Sequence, residues 1–235
     1  AGELLIKSYR AERRHTLAFV VPTGGSLASA ATLTHSKIDV VLATIGVLAW
    51  VACHQGDYVT VVAPGQDGPS VARPSYRDTQ IEHMLAGLDA GCRLEAPDPD
   101  LVELLDLTAS GLRRRCIVVV VLDDWDPRPA DVDALASLCA RHEVLAIEVS
   151  DLDLTDPALA TVPTRDQATG QPVPGFVARD RKVREQAVAA QQERARRRGR
   201  TLDRLGIIHE SVADVDDSIA AIVRLLERMR HASRH

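Results

Sequence analysis

Three acidic residues, Asp123, Asp124 and Asp126, follow directly on the apolar run Ile117–Leu122. Carboxylates at the end of a buried strand could hold a divalent cation through hard oxygen donors, the chemistry that suits Mg2+. The plainer reading is a solvated acidic turn, with Asp126 placed before Pro127. A second candidate is the glycine-containing segment Pro22, Thr23, Gly24, Gly25 and Ser26, which has the composition of a phosphate cradle. A phosphate loop needs GxxxxGK[ST], and a dinucleotide loop needs GxGxxG running straight into a helix; neither pattern is there. Ser26 also lacks the GxSxG elbow of a serine nucleophile. The segment therefore reads as a turn leaving a strand.

Other reactive side chains are scattered. His15, His35, His54, His83, His142 and His209 fall mostly at element boundaries, read as surface positions, and suggest no Ser/His/Asp arrangement. Cys53, Cys92, Cys116 and Cys139 show neither CxxC nor Cys/His ligand spacing, and read as buried thiols of a reducing, cytoplasmic compartment. The basic run Arg194, Arg196, Arg197, Arg198 and Arg200 reads as the solvated face of a polar helix, able to help dock an acidic protein. No catalytic residue follows from these patterns. The net charge of −5 and an aromatic share of 3% give no reason to expect nucleic acid or an anionic membrane as partner.

The elements that must position these residues alternate between strand and helix. Strands are expected over Thr16–Val21, Tyr58–Ala63, near Ser70–Arg73, over Ile117–Leu122 and over Val144–Val149. Helices are expected over Lys37–His54 with Ser36 as cap, over Asp78–Leu88, from Pro97-Asp98-Pro99 to Arg113–Arg115, and over Ala130–Arg141. Beyond Ser150 the pattern weakens: a hairpin or loop over Asp166–Gly175, a polar helix over Asp180–Arg200, a sixth strand over Gly206–Glu210 and an amphipathic helix over Asp214–Met229. The fold class is α/β, a doubly wound and mostly parallel sheet, because Val-rich runs without alternation are buried on both faces. Residues 1–150 are expected to form its core, with 151–235 as an extension packed on the same domain. The longest apolar stretch, Ile38–Cys53, is read as too short to span a bilayer, and the charged opening is not a signal peptide. Ligands of such sheets bind at the carboxyl ends of the strands, here the loops Pro22–His35, Pro64–Thr79 and Asp123–Pro127.

Several strings resemble the DUF58 family, whose carboxyl half is a von Willebrand factor A-like domain typically encoded beside MoxR-type AAA+ ATPases. They are ELLIKSYRAERRHTLAFVV, SKIDVVLATIGVLAWVACHQGDYVTVVAPG, CIVVVVLDDWDP, LASLCARHEVLAIEVSD and DQATGQ. The resemblance implies a Rossmann-like sheet with a metal-ion-dependent adhesion site at its carboxyl rim. Its DxSxS motif falls on Pro22, Gly24 and Ser26, its second-loop threonine on Thr79 with Ser75 as the alternative, and its third-loop aspartate on Asp124 beside Asp123. Proline and glycine supply no donor side chain, so the metal site is expected to have decayed, with Ser26, Thr79 and Asp124 as the residues that would hold Mg2+ if any did. No cofactor is expected. The family's upstream arginine-rich motif and membrane helices do not occur here, which is expected if the chain is a piece of a longer, membrane-anchored protein. Function is read as a non-catalytic adaptor or scaffold for a MoxR-type AAA+ ATPase in a chaperone-like assembly. The alternatives are a Mg2+-dependent adhesion-type binding domain and a small-molecule hydrolase.

Overall fold

In the computed structural model, residues 14–65, 68–123, 125–167, 169–175 and 179–232 are described. The first strand, β1 (Thr16–Val20), leads through a single helical turn, α1 (Gly25–Ala28), to α2 (Lys37–His54). There follow β2 (Tyr58–Gly65), β3 (Gly68–Val71), α3 (Asp78–Gly91), α4 (Leu101–Gly111), β4 (Ile117–Leu122), α5 (Pro129–Cys139) and β5 (Glu143–Val149). A two-stranded hairpin of β6 (Thr164–Arg165) and β7 (Pro172–Val173) precedes α6 (Arg181–Arg204), β8 (Ile208–Val212) and α7 (Ser218–Ala232).

Six strands form one sheet in the order β3-β2-β1-β4-β5-β8, with every pair parallel except β2–β3. This is the doubly wound, Rossmann-like α/β architecture expected. Phe19 lies opposite Val61 on one side and Val119 on the other, fully within the sheet. Odd-numbered residues of β1 and β4 (Phe19, Val119, Val121) face α2, α3 and α7, while Ala18, Val118 and Val120 face α4, α5 and the end of α6. Each of the phenylalanine and valine side chains among these contributes about 1.5–3 kcal/mol when removed from water. The 151–235 segment supplies the edge strand β8 to this sheet, and its α7 packs against α2.

Helix α2 begins where its sequence says it should. Ser36 Oγ accepts the Asp39 N–H and Asp39 accepts the Ser36 N–H, a reciprocal cap that satisfies two orphan donors. The Ser36 hydroxyl hydrogen bond holds the Asp39 pKa below its usual value, against a smaller opposing effect of burial. By length and composition α2 could cross a membrane, so the expectation of too short a stretch is corrected; half of it is buried here as a core helix over the sheet. A second correction concerns α4, which starts at Leu101 and ends at Gly111, leaving Arg113–Arg115 beyond its end. The strand near residue 70 is an antiparallel edge, and the hairpin forms around Gly170 at a positive φ of 66°.

Candidate functional site

The carboxyl rim is built around the turn after β1. Gly24 and Gly25 are required there by close approach: a Cβ on Gly24 would lie 2.6 Å from Asp98 Oδ1, and one on Gly25 2.8 Å from the Leu94 carbonyl. The two glycines thus bring the α3–α4 connection against the backbone of the first loop, where Gly25 N–H donates to Ala96 O at 3.0 Å. Asp98 Oδ1 accepts the Ser26 N–H at 2.7 Å and caps the turn of α1. Thr23 is buried, and a Cβ on Gly91 at the end of α3 would come within 3.1 Å of its Oγ1. Pro22 is half-buried beside it. The reading of this segment as a plain turn is therefore too weak: it is a packed floor.

On that floor stands a cation supplied by the chain itself. Ser26 Oγ donates to Asp123 Oδ2, and the Lys37 ammonium lies 3.6 Å from the same oxygen. Lys37 also pairs closely with Asp151, which follows β5. The Lys37 side chain is only 3% exposed, while those of Asp123 and Asp151 are 20% and 36% exposed. The backbone fixes this cluster from both sides. Lys37 N–H donates to Ser29 O at 2.8 Å, and Leu152 N–H donates to Ala30 O at 3.2 Å, tying the β5 exit to the first loop.

Not all expected positions converge. Ser26 and Asp123 do, whereas Asp124 lies outside the described residues. Thr79 and Ser75 do not reach the rim. The antiparallel β3 carries the chain back toward the start of β2, where Ser75 pairs with Val59. Helix α3 then climbs from Asp78 to Gly91, and only its end meets Thr23. Thr79 is thus about 18 Å down the helix from the rim, at 1.5 Å per residue. The obstacle to Mg2+ at the rim is the Lys37 ammonium, which already engages Asp123 and Asp151; among the described residues no group of three or more acidic, His or Cys side chains is placed to hold a metal ion. A divalent ion about 4 Å from an ammonium would meet a repulsion of roughly 8 kcal/mol at an effective dielectric constant near 20, twice that of two unit charges.

Beside the floor lies an open cleft of about 550 Å3 between the first loop and the hairpin. Thr32, His35, Arg165 and Gln167 line it, with Leu33 and Leu94, each 57% exposed, among its walls. Gln167 donates to the Leu94 carbonyl at 3.4 Å, and His35 Nδ1 lies 2.9 Å from Asp214. The third loop is held by Trp125, whose indole N–H donates to Asp131 at 3.1 Å, and Asp131 also takes the Arg128 guanidinium. Burial works against the Asp131 carboxylate, but these partners outweigh it and lower its pKa.

A second charged cluster was missed in the sequence. Glu148 of β5, 10% exposed, receives Arg198 Nε of α6 at 3.0 Å and His209 Nδ1 of β8 at 3.0 Å. His209 Nε2 reaches Asp203 at 3.3 Å. Gly199 of α6 lies over the His209 ring, where a Cβ would stand at an ordinary contact distance of 3.4 Å. Burial raises the Glu148 pKa, yet hydrogen bonds from His209 and Arg198 outweigh it and leave it low. The Glu148 hydrogen bond raises the His209 pKa, against burial. The expectation of a solvated Arg198 and of surface positions for His209 and His142 is therefore corrected: the first two are enclosed around Glu148, and His142 is buried with its Nδ1 accepting the Cys116 N–H at 3.3 Å. All four cysteines are free, and burial pushes the Cys92 thiol up to about 11.

A family model described as "Protein of unknown function DUF58" matches residues 1–198. No curated protein matches the sequence. Among solved structures, the pilus adhesin SpaC from Lactobacillus rhamnosus GG aligns with a TM-score of 0.56 at 11% identity, over 94% of this chain and 30% of the adhesin. An aerotolerance-related membrane protein from Bacteroides fragilis NCTC 9343, with multiple mutations to serines, aligns at 14% identity and a TM-score of 0.49, over 91% of this chain and 99% of that one. A von Willebrand factor type A protein from Catenulispora acidiphila gives 15% identity and a TM-score of 0.42, over 71% and 41%. At such identities the likeness concerns the fold alone. The sheet order is that of a doubly wound, Rossmann-like α/β fold, and the family model places the chain in the DUF58 family.

Proposed function

We propose that this chain, which belongs to the DUF58 family, is a non-catalytic protein-interaction domain whose carboxyl rim docks its partner without a bridging metal ion. The partner in this reading is a MoxR-type AAA+ ATPase, for which the domain serves as adaptor or scaffold in a chaperone-like assembly. Its place is the cytoplasm, as part of a membrane-anchored parent or free. The family resemblance supports the ATPase, and the chemistry of the rim supports the mode of docking.

The observation that carries the reading is the cleft with Leu33 and Leu94 exposed among its walls, next to a floor whose charges are internally paired. Large apolar side chains held in water at a ligand rim mark a contact surface better than scattered ones do. Catalysis fits poorly. The Ser26 hydroxyl donates to a carboxylate already engaged by an ammonium, which is a weak base. A thiol near 11 is ionised in only about one molecule in ten thousand at pH 7.

The test is binding of the purified domain to its MoxR-type ATPase by biolayer interferometry. The double variant Leu33→Asp/Leu94→Asp is expected to lose at least tenfold in affinity, roughly the effect of truncating one contact hot spot. Trp50→Ala, an exposed aromatic toward the other end of α2, is expected to bind as the wild type does. Equal binding by the rim variant and the wild type would remove the rim from the account.

A further inference from the structure

We propose that the Lys37 ammonium is a tethered replacement for a divalent cation, so that the rim is assembled by the chain's own charge and not by metal binding. Three observations meet at this point. First, an ammonium that is 3% exposed stands between Asp123 and Asp151, with Ser26 hydrogen-bonded to the first of them. These are a hydroxyl and two carboxylates from three different loops, the donor chemistry that a hard cation gathers. Second, Lys37 occupies the first turn of α2, where the helix dipole opposes a positive charge. Its placement there breaks a local rule, and only the paired carboxylates offset the cost. Third, the Lys37 N–H donates to Ser29 O, so the start of α2 that carries this side chain is tied to the first loop.

The consequence is specific. A metal at such a rim would keep an open coordination position for a carboxylate of the partner. An ammonium already paired with two carboxylates and shielded from water offers none. The partner segment must then be one that engages Leu33, Leu94 and the hydroxyls of Thr32 and Thr34, not one that leads with an acidic side chain. The inference about Lys37 is read without any partner, and its test needs none, so it can fail while the docking surface stands.

The experiment is thermal unfolding of the whole chain in EDTA and in 10 mM (about a hundredfold excess over a weak site) MnCl2. The wild type is expected to show the same midpoint in both. Lys37→Ala is expected to fall by about 6–15 °C in EDTA, because it leaves two carboxylates without their counter-charge. In Mn2+ it is expected to recover about 5–10 °C, as the vacated space admits the ion, and this recovery disappears in Lys37→Ala/Asp123→Ala. Lys37→Met, which keeps the stem and fills the space, is expected to fall without recovery. A saturable Mn2+ shift in the wild type that Asp123→Ala abolishes would overturn the proposal, and so would a Lys37→Ala variant as stable as the wild type or blind to Mn2+. Should Lys37→Ala fold in neither medium, the decision passes to the wild type's Mn2+ electron paramagnetic resonance spectrum. A spectrum of the free aqueous ion supports the tethered cation; a bound-ion signal lost in Asp123→Ala overturns it.

Discussion

Two of the enclosed charge clusters among the described residues are mirror images of each other. At the carboxyl rim a buried cation, Lys37, is held between two partly exposed carboxylates from the loops after β4 and β5. At the other face of the sheet a buried carboxylate, Glu148, is held between two cationic groups from α6 and β8. The first joins loops at the place where folds of this class bind ligands. The second joins the long polar helix α6 to the edge of the sheet and acts as a staple. The rim cluster is built from a lysine and two aspartates, without a histidine. The staple contains His209, whose charge responds to pH near neutrality. One arrangement is suited to permanence at a binding surface, the other to a conditional attachment.

The largest effect should come from breaking the rim. Lys37→Met is expected to cost about 3–5 kcal/mol in urea unfolding, since it strands enclosed charge while preserving most of the side-chain volume. A loss below 1 kcal/mol would mean that the carboxylates turn to water and that the rim is looser than described. Breaking the staple should cost less. Glu148→Gln removes the charge but leaves a hydrogen-bonding group, and a loss of about 1.5–3 kcal/mol is expected by the same method. It should also raise proteolytic cleavage within α6 with little change in the sheet, seen by mass spectrometry of the fragments.

The comparison sharpens with pH. The His209 pKa is raised by folding, so its contribution is fully present below the unfolded value of about 6.5 and is lost as pH rises through the raised folded value. The Glu148 pKa is lowered, so its contribution is present above the unfolded value of about 4.5 and is lost as pH falls through the depressed one. The staple is therefore strongest between about pH 4.5 and 6.5 and weakens toward pH 8. Urea midpoints measured across this range should decline above pH 6.5 in the wild type and flatten in Glu148→Gln. A wild-type profile that rises from pH 6.5 to 8 would contradict the assignment of His209. The smallest effect is expected outside both clusters. Arg181 and Glu185 form an exposed pair one helical turn apart, and Arg181→Ala should change stability by less than about 0.5 kcal/mol.

Sequence patterns identified the architecture because strand and helix periodicity are local properties. Lys37–His54 and Ile117–Leu122 were bounded correctly by a capping serine and by an uninterrupted apolar run. The sixth strand and the hairpin were legible from Gly206 and from Thr169-Gly170, two turn signals. The site was only half legible. Asp123 was found because it directly follows a strand, and Ser26 because the DxSxS motif of the resembling family falls on it. Asp98 and Asp151 were missed, since nothing local separates a bridging aspartate from a solvated one. Thr79 was misplaced because β3 reverses the chain, and a reversal at a sheet edge is a tertiary fact. Two signals could have found the clusters: a lysine in a first helical turn, and a glutamate inside the apolar strand Val144–Val149. Both break a local rule, and in both cases the structure supplies the compensating partner.

The central claim is that the rim is closed by Lys37 and not by a metal. The most direct measurement is a crystal structure of the wild-type chain grown in MnCl2, with an anomalous difference map at the manganese edge. The account predicts no anomalous peak near Ser26 and Asp123, and the Lys37 ammonium paired with Asp123 and Asp151. A peak bridging Ser26 and Asp123, with Lys37 swung away from both carboxylates, would contradict it.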